Sequence, residues 1–226
     1  MSFMQEHAWL STARFAPFLN EVDGNHEGAL ELYDWHAETT AACFESIHHF
    51  EVMVRNAIDE TLGVAQPQEP LRDTWLMDFS TLHPGGVKQV IVAVERLQKG
   101  ASITRGRVVA GLSFGFWAGL FSKSYEELWR QRLHHAFSQR SLVRKDLSHR
   151  MRAIQRFRNR VAHHDSLLGQ DIERHMDDML DIVGWIDPEA RGWLATRSRV
   201  HALLARRPGP AHACPPTAIT SGAGSR

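Results

Sequence analysis

The feature that most constrains the fold is the spacing of apolar residues between Leu30 and Leu62. Leu32, Trp35, Phe44, Ile47, Phe50, Val54 and Ile58 recur mostly at three- and four-residue steps, the period that gathers side chains on one face of an α-helix. Gly63 stands where a C-cap is expected. The same period returns along the rest of the chain. It predicts a short helix over Val87–Leu97 and a buried one over Gly106–Phe121, whose Gly111, Gly115 and Gly119 form a small-residue ridge suited to close helix contact. Ser124-Tyr125-Glu126-Glu127 has the spacing of a capping box and predicts a helix to about Phe137. Leu142–His163 and Gln170–Ile186 are amphipathic. Their apolar positions are Leu147, Met151, Ile154, Phe157 and Val161 in the first, and Ile172, Met176, Met179, Leu180 and Val183 in the second. Asp187-Pro188 predicts an N-cap followed by Pro at the first helical position, opening a last helix to about Arg206. Three prolines and a Gly-Gly between Gln66 and Gly86 read as a loop. The expected fold is an all-α helical bundle: a segment over 1–24, a helical domain over 25–206, and a Pro-, Gly- and Ser-rich tail over 207–226 without stable structure.

No apolar run approaches the roughly 20 residues that span a bilayer, and the first residues lack the pattern of a signal peptide. Cys43 and Cys214 make neither a disulfide framework nor a zinc spacing. These readings place the chain in the reducing cytosol, without a membrane, cofactor or metal.

The net charge is zero, but its distribution is uneven. Residues 130–160 carry nine Arg and one Lys against one acid, Asp146. Such a belt is the footprint of a phosphate-binding surface, and Arg144, Arg150, Arg152, Arg156 and Arg160 are its candidate RNA contacts. The alternative is a helix face whose arginines pair with acidic segments elsewhere.

Within the belt lies Arg158-Asn159-Arg160-Val161-Ala162-His163. The chain holds four Arg-x-x-x-x-His spacings, so the spacing alone cannot choose among them. Only this one has Asn directly after the Arg, and it ends a strongly amphipathic helix. Asn159 and His163, four residues apart, share a helical face. Arg158 and His163 diverge by about 140° on a straight helix. Either the Arg wraps round, the helix loosens near His163, or two chains pair their motifs. Inside the long helix, Glu51, Arg55 and Asn56 read as a local Glu51–Arg55 ion pair or as supporting groups beside His163. Ser113-Phe114-Gly115-Phe116-Trp117 reads as core rather than as a base-stacking platform. His163-His164-Asp165 is a poor metal site, because adjacent helical side chains diverge.

The Arg-Asn-x-x-x-His pattern near a helix end resembles the motif of HEPN domains. Tyr33–His36, Phe50–Ile58, Leu112–Trp117 and Arg158–His164 resemble, in order, the Abi-like (abortive infection) family of that group. The resemblance implies a homodimeric HEPN bundle that cleaves RNA without a metal, acts in phage defence or toxin–antitoxin systems, and is restrained by an RNA or protein antitoxin. The residues suit that chemistry. His163 would move a proton, Arg158 would hold the phosphate, and Asn159 would position them, as the ribose 2′-OH attacks the neighbouring phosphorus. The rival expectations are an RNA-binding module without turnover and a dimeric interaction protein.

Overall fold

The computed structural model describes residues 8–63, 71, 74–97, 103–139 and 141–209. Its helices are α1 (Thr12–Glu21), α2 (His26–Leu62), α3 (Pro84–Leu97), α4 (Arg105–Gly111), α5 (Phe114–Gly119), α6 (Glu126–Gln131), α7 (Arg144–Ala162), α8 (Ile172–Ile186), α9 (Pro188–Arg197) and α10 (Val200–Leu204), with short 3-10 turns between some of them. No strand occurs among the described residues, and the all-α class holds. The chain forms two compact units. One joins the residues up to Thr39 with those from Ala202 onward; the other is Thr40–His201.

In the larger unit the helical stripes are buried as the spacing predicts. Ile47, Phe50, Val54 and Ile58 of α2 are in the core, as are all five apolar positions of α7 and all five of α8. Truncating one such side chain to Ala costs about 2–5 kcal/mol. Phe44 is the exception: it is 52% exposed, while Cys43 beside it is fully buried. One residue is about 100° of helix, so a stripe that runs through Cys43 leaves Phe44 outside. Burial pushes the Cys43 thiol up to about 12, which leaves it protonated and unreactive. Phe114, Phe116 and Trp117 are core residues, with Phe114 edge-on to Phe50.

Several boundaries differ from expectation, each for a local reason. Gly106–Phe121 is two helices, because Leu112 and Ser113 take extended backbone between α4 and α5. Of the glycine ridge only Gly115 makes a close approach: a Cβ there would meet the Gln155 amide of α7 at 2.8 Å, whereas Gly119 faces open space. Ser124 caps nothing. It is drawn into a 3-10 turn, Lys123–Tyr125, and α6 begins one residue later without a side-chain cap. That helix ends at Gln131, and Leu133–Ala136 continues as a 3-10 turn. Pro84-Gly85-Gly86, read as loop, opens α3, with Pro84 at the first helical position where its missing N–H costs nothing. Asp187 does cap α9, accepting from the N–H groups of Glu189 and Ala190. That helix stops at Arg197, because Ser198 is extended.

The smaller unit contains α1, inside the segment for which the sequence predicts no element. Ser11 caps it by accepting from the Arg14 N–H. Phe15, Phe18, Leu32, Trp35 and Leu203 are buried, and the Trp35 indole N–H donates to the Leu203 carbonyl at 2.7 Å. The expected tail begins too early at Arg207. That side chain bonds Glu21 and lies over the Trp35 ring. Residues 210–226, Cys214 among them, fall outside the described residues.

His36 is buried beside Phe18 in this unit. Burial, helped by the Arg14 charge, lowers its pKa to about 4 from 6.5. As pH falls, the unfolded chain therefore takes up this proton first. The stabilisation is complete above pH 6.5 and is lost as pH falls toward 4. Its size is on the order of 3 kcal/mol. Urea unfolding at pH 7 and pH 4 should show wild type losing more stability than His36→Gln by that order. Equal losses in the two proteins would refute the assignment.

Candidate functional site

Helix α7 is heavily charged yet has one uninterrupted apolar stripe. Burying that stripe fixes the rotation of the helix and divides its polar residues between two flanks. Taking buried Phe157 as zero, Arg158 lies about 100° to one side, while Arg152, Arg156, Asn159, Arg160 and His163 fall about 60° to 160° to the other.

The structure realises that division. On the first flank the Arg158 Nε donates to the Glu51 carboxylate of α2 at 2.8 Å, with the two side chains a third and a quarter exposed. The Glu51–Arg55 pair expected within α2 is not formed. Arg158 takes the carboxylate, and the Arg55 Nε is buried without a hydrogen-bond partner. Asn56 is exposed. On the opposite flank α7 and the start of α8 border an open cleft of about 440 Å³, lined by Arg156, Asn159, Arg160, His163, Asp165 and His175 among others. The site residues expected from sequence are thus divided. Asn159 and His163 come together, and Arg158 is held on the far side of the helix.

The end of α7 explains where His163 stands. The helix stops at Ala162, and His163 is the C-cap with φ −93° and ψ 7°. The Asp165 N–H donates to the Arg160 carbonyl at 2.9 Å and the His164 N–H to the Val161 carbonyl at 3.1 Å. These two bonds make a Schellman closure, which requires a left-handed residue at the next position. His164 fills it with φ 56°, a conformation favoured by glycine. The helix ends at His163, but this closure does not bring Arg158 round to it: the His163 N–H still donates to the Asn159 carbonyl, and Arg158 stays with Glu51 on the other flank.

The arginine belt is partly neutralised from within. Arg144 bonds Glu126 at 2.6 Å and the Phe121 carbonyl at 2.7 Å. Arg150 bonds Asp178 and Asp181 and lies over the Trp185 ring. Arg160 donates to the Ser166 carbonyl, which leaves its charge uncompensated. Arg152 and Arg156 are exposed and form no ion pair among the described residues. The open positive charge is concentrated on the cleft flank. Among the described residues no three His, Cys, Asp or Glu side chains gather as metal ligands.

His175 is the cleft residue that sequence reasoning missed. It sits next to Met176 and one turn from Met179 on the stripe of α8, and that edge position was the available signal. Its ring stacks on Phe157 at 4.5 Å, and its Nδ1 is buried without a partner. Burial holds the imidazole below the usual histidine range. Asp178 and Asp171 oppose that shift, and Arg156 and Arg174 add to it.

Comparison of the chain with family models, with curated proteins and with solved structures gives no match.

The left-handed His164 gives a direct test of the helix closure. His164→Gly removes a steric cost of about 1 kcal/mol, which corresponds to a rise in Tm of about 2–4 °C. His164→Val should lower Tm. A glycine variant that melts at or below wild type would contradict the Schellman geometry.

Proposed function

We propose that this chain is a metal-independent endoribonuclease of the HEPN type, acting at the cleft between α7 and α8. One observation carries the reading: the His163 imidazole, the Asn159 carboxamide and the Arg156 and Arg160 guanidinium groups line one cleft at the end of a helix. Attack by a ribose 2′-OH on the adjacent phosphorus needs a proton-transfer group that works near neutrality, which His163 supplies. It also needs cations for the charge that builds on the phosphorane, which Arg156 and Arg160 supply. Asn159, one turn from His163, positions it or donates to a non-bridging oxygen. Arg158 lies on the far side of the helix from this cleft with Glu51 on its Nε, so its two Nη groups would act only on the cleft of a second copy. In a homodimer, pairing of the two motifs would bring Arg158 of one copy toward His163 of the other. A cytosolic role in phage defence or toxin–antitoxin action, with an antitoxin as partner, belongs to the same reading.

A second reading, RNA binding without turnover, draws on the Glu51–Arg158 pair. That pair compensates the guanidinium that the motif would offer to phosphate.

Cleavage of a labelled single-stranded RNA in excess chelator separates the two. Wild type should cut and leave a cyclic phosphate or its hydrolysis product. His163→Ala should lose turnover, and Arg158→Ala should slow it by about 10²–10³. Binding of both variants should remain and fall steeply with salt. Salt-sensitive binding without any cleavage would establish the second reading. A His163→Ala protein as active as wild type, or activity that chelator removes and a divalent ion restores, would overturn the site.

A further inference from the structure

A phosphoryl transfer of this kind moves two protons, one off the attacking 2′-OH and one onto the departing 5′-oxygen. A single imidazole cannot do both in one step. The cleft holds a second imidazole from the same chain, His175, which belongs to no motif of the sequence. The ring stacks on Phe157, Nδ1 is buried and unpartnered, and His175 lines the cleft, so we infer that Nε2 is the nitrogen offered to it. An apolar side chain would fill the same place beside Phe157 without an orphaned nitrogen, so packing alone does not account for a histidine here.

We propose that His163 and His175 of one chain form the proton-transfer pair of this cleft, acting on a single-stranded RNA phosphodiester held by Arg156 and Arg160. The inference rests on the ribonuclease reading above and adds a residue to it. In the step, the 2′-oxygen bonds to phosphorus as its proton passes to Nε2 of His175. The bond from phosphorus to the 5′-oxygen breaks as His163 gives that oxygen a proton. The products are a 2′,3′-cyclic phosphate and a 5′-hydroxyl end, and exchange with water resets both rings. The charges around His175 fit the base role. On its own helix stand Asp171, Arg174 and Asp178; from α7 come Arg156 and, across the cleft, Arg160 and His163; Asp165 lines the same space. Burial outweighs the acids and holds the ring below the usual histidine range, which favours the neutral, proton-accepting form.

The test uses the full-length chain and a labelled single-stranded oligoribonucleotide over a range of pH. His175→Ala should slow cleavage by about 100-fold or more, and imidazole in the buffer should restore part of it. His175→Phe keeps a ring against Phe157; it should melt like wild type, stay inactive and resist rescue. Wild-type cleavage should rise with pH along an acidic limb set by His175, and that limb should be missing in His175→Gln. A mixture of His163→Ala and His175→Ala chains should remain inactive, because each lacks one member of the pair. If wild type cuts but His175→Ala cuts as fast, the inference fails and the ribonuclease reading stands. It fails equally if the loss in His175→Ala is not rescued and the acidic limb survives in His175→Gln, or if the mixture regains activity through a site shared between copies. If wild type cuts no RNA at any pH, both readings fall.

Discussion

Burial of one stripe on α7 is the constraint on which the site depends. Leu147, Met151, Ile154, Phe157 and Val161 are all essentially inaccessible, in a helix whose other positions are mostly polar or charged. A helix so polar has one way to be buried, and that way leaves no freedom in where its remaining side chains point. Two packing contacts sharpen it. Gly115 lets α5 approach Gln155 closely, and the ring of His175 seats on Phe157 from the side of α8. Exchanging the apolar stripe for polar residues would therefore destroy the site together with the fold.

With the rotation fixed, electrostatics follows from geometry. Where the helix faces α2, Arg158 and Glu51 compensate each other at partial exposure, where such a pair contributes little stability. The flank that faces α8 carries Arg152, Arg156 and Arg160 together with Asn159 and His163, and no carboxylate binds any of those three arginines among the described residues. Arg150 and Arg144, nearer the helix start, are taken by Asp178, Asp181 and Glu126. The segment that looks uniformly basic as a string is thus an ion-paired helix at its beginning and an open cationic cleft at its end.

How much of this was legible follows from what each signal measures. The stripes of α7 and α8 were legible because burial imposes their period, and Asp187-Pro188 because the cap is a local bond. Phe44 was misread because a stripe drifts around a long helix and neighbouring positions compete for the same face. The two breaks, at Leu112-Ser113 and at Ser198, carry no proline and no strong local signal. Asn159 and His163 could be paired from spacing alone. The fate of Arg158 could not, since Glu51 is 107 residues away and a nearer partner, Arg55, was available in sequence. His175 was hidden for the same reason: its importance comes from the cleft that two helices make, and no string of neighbours encodes that.

On the proposed function, RNA phosphate lodges in the cleft between α7 and α8. The direct measurement is NMR titration of the histidine imidazoles with a 2′-deoxy oligonucleotide, which can occupy the site but cannot react. The His163 and His175 resonances should shift together along one binding curve, while buried His36 stays still. If neither His163 nor His175 moves at saturating oligonucleotide, or if the shifts collect instead at His134 and His135 of the 3-10 turn Leu133–Ala136, the cleft is not the site.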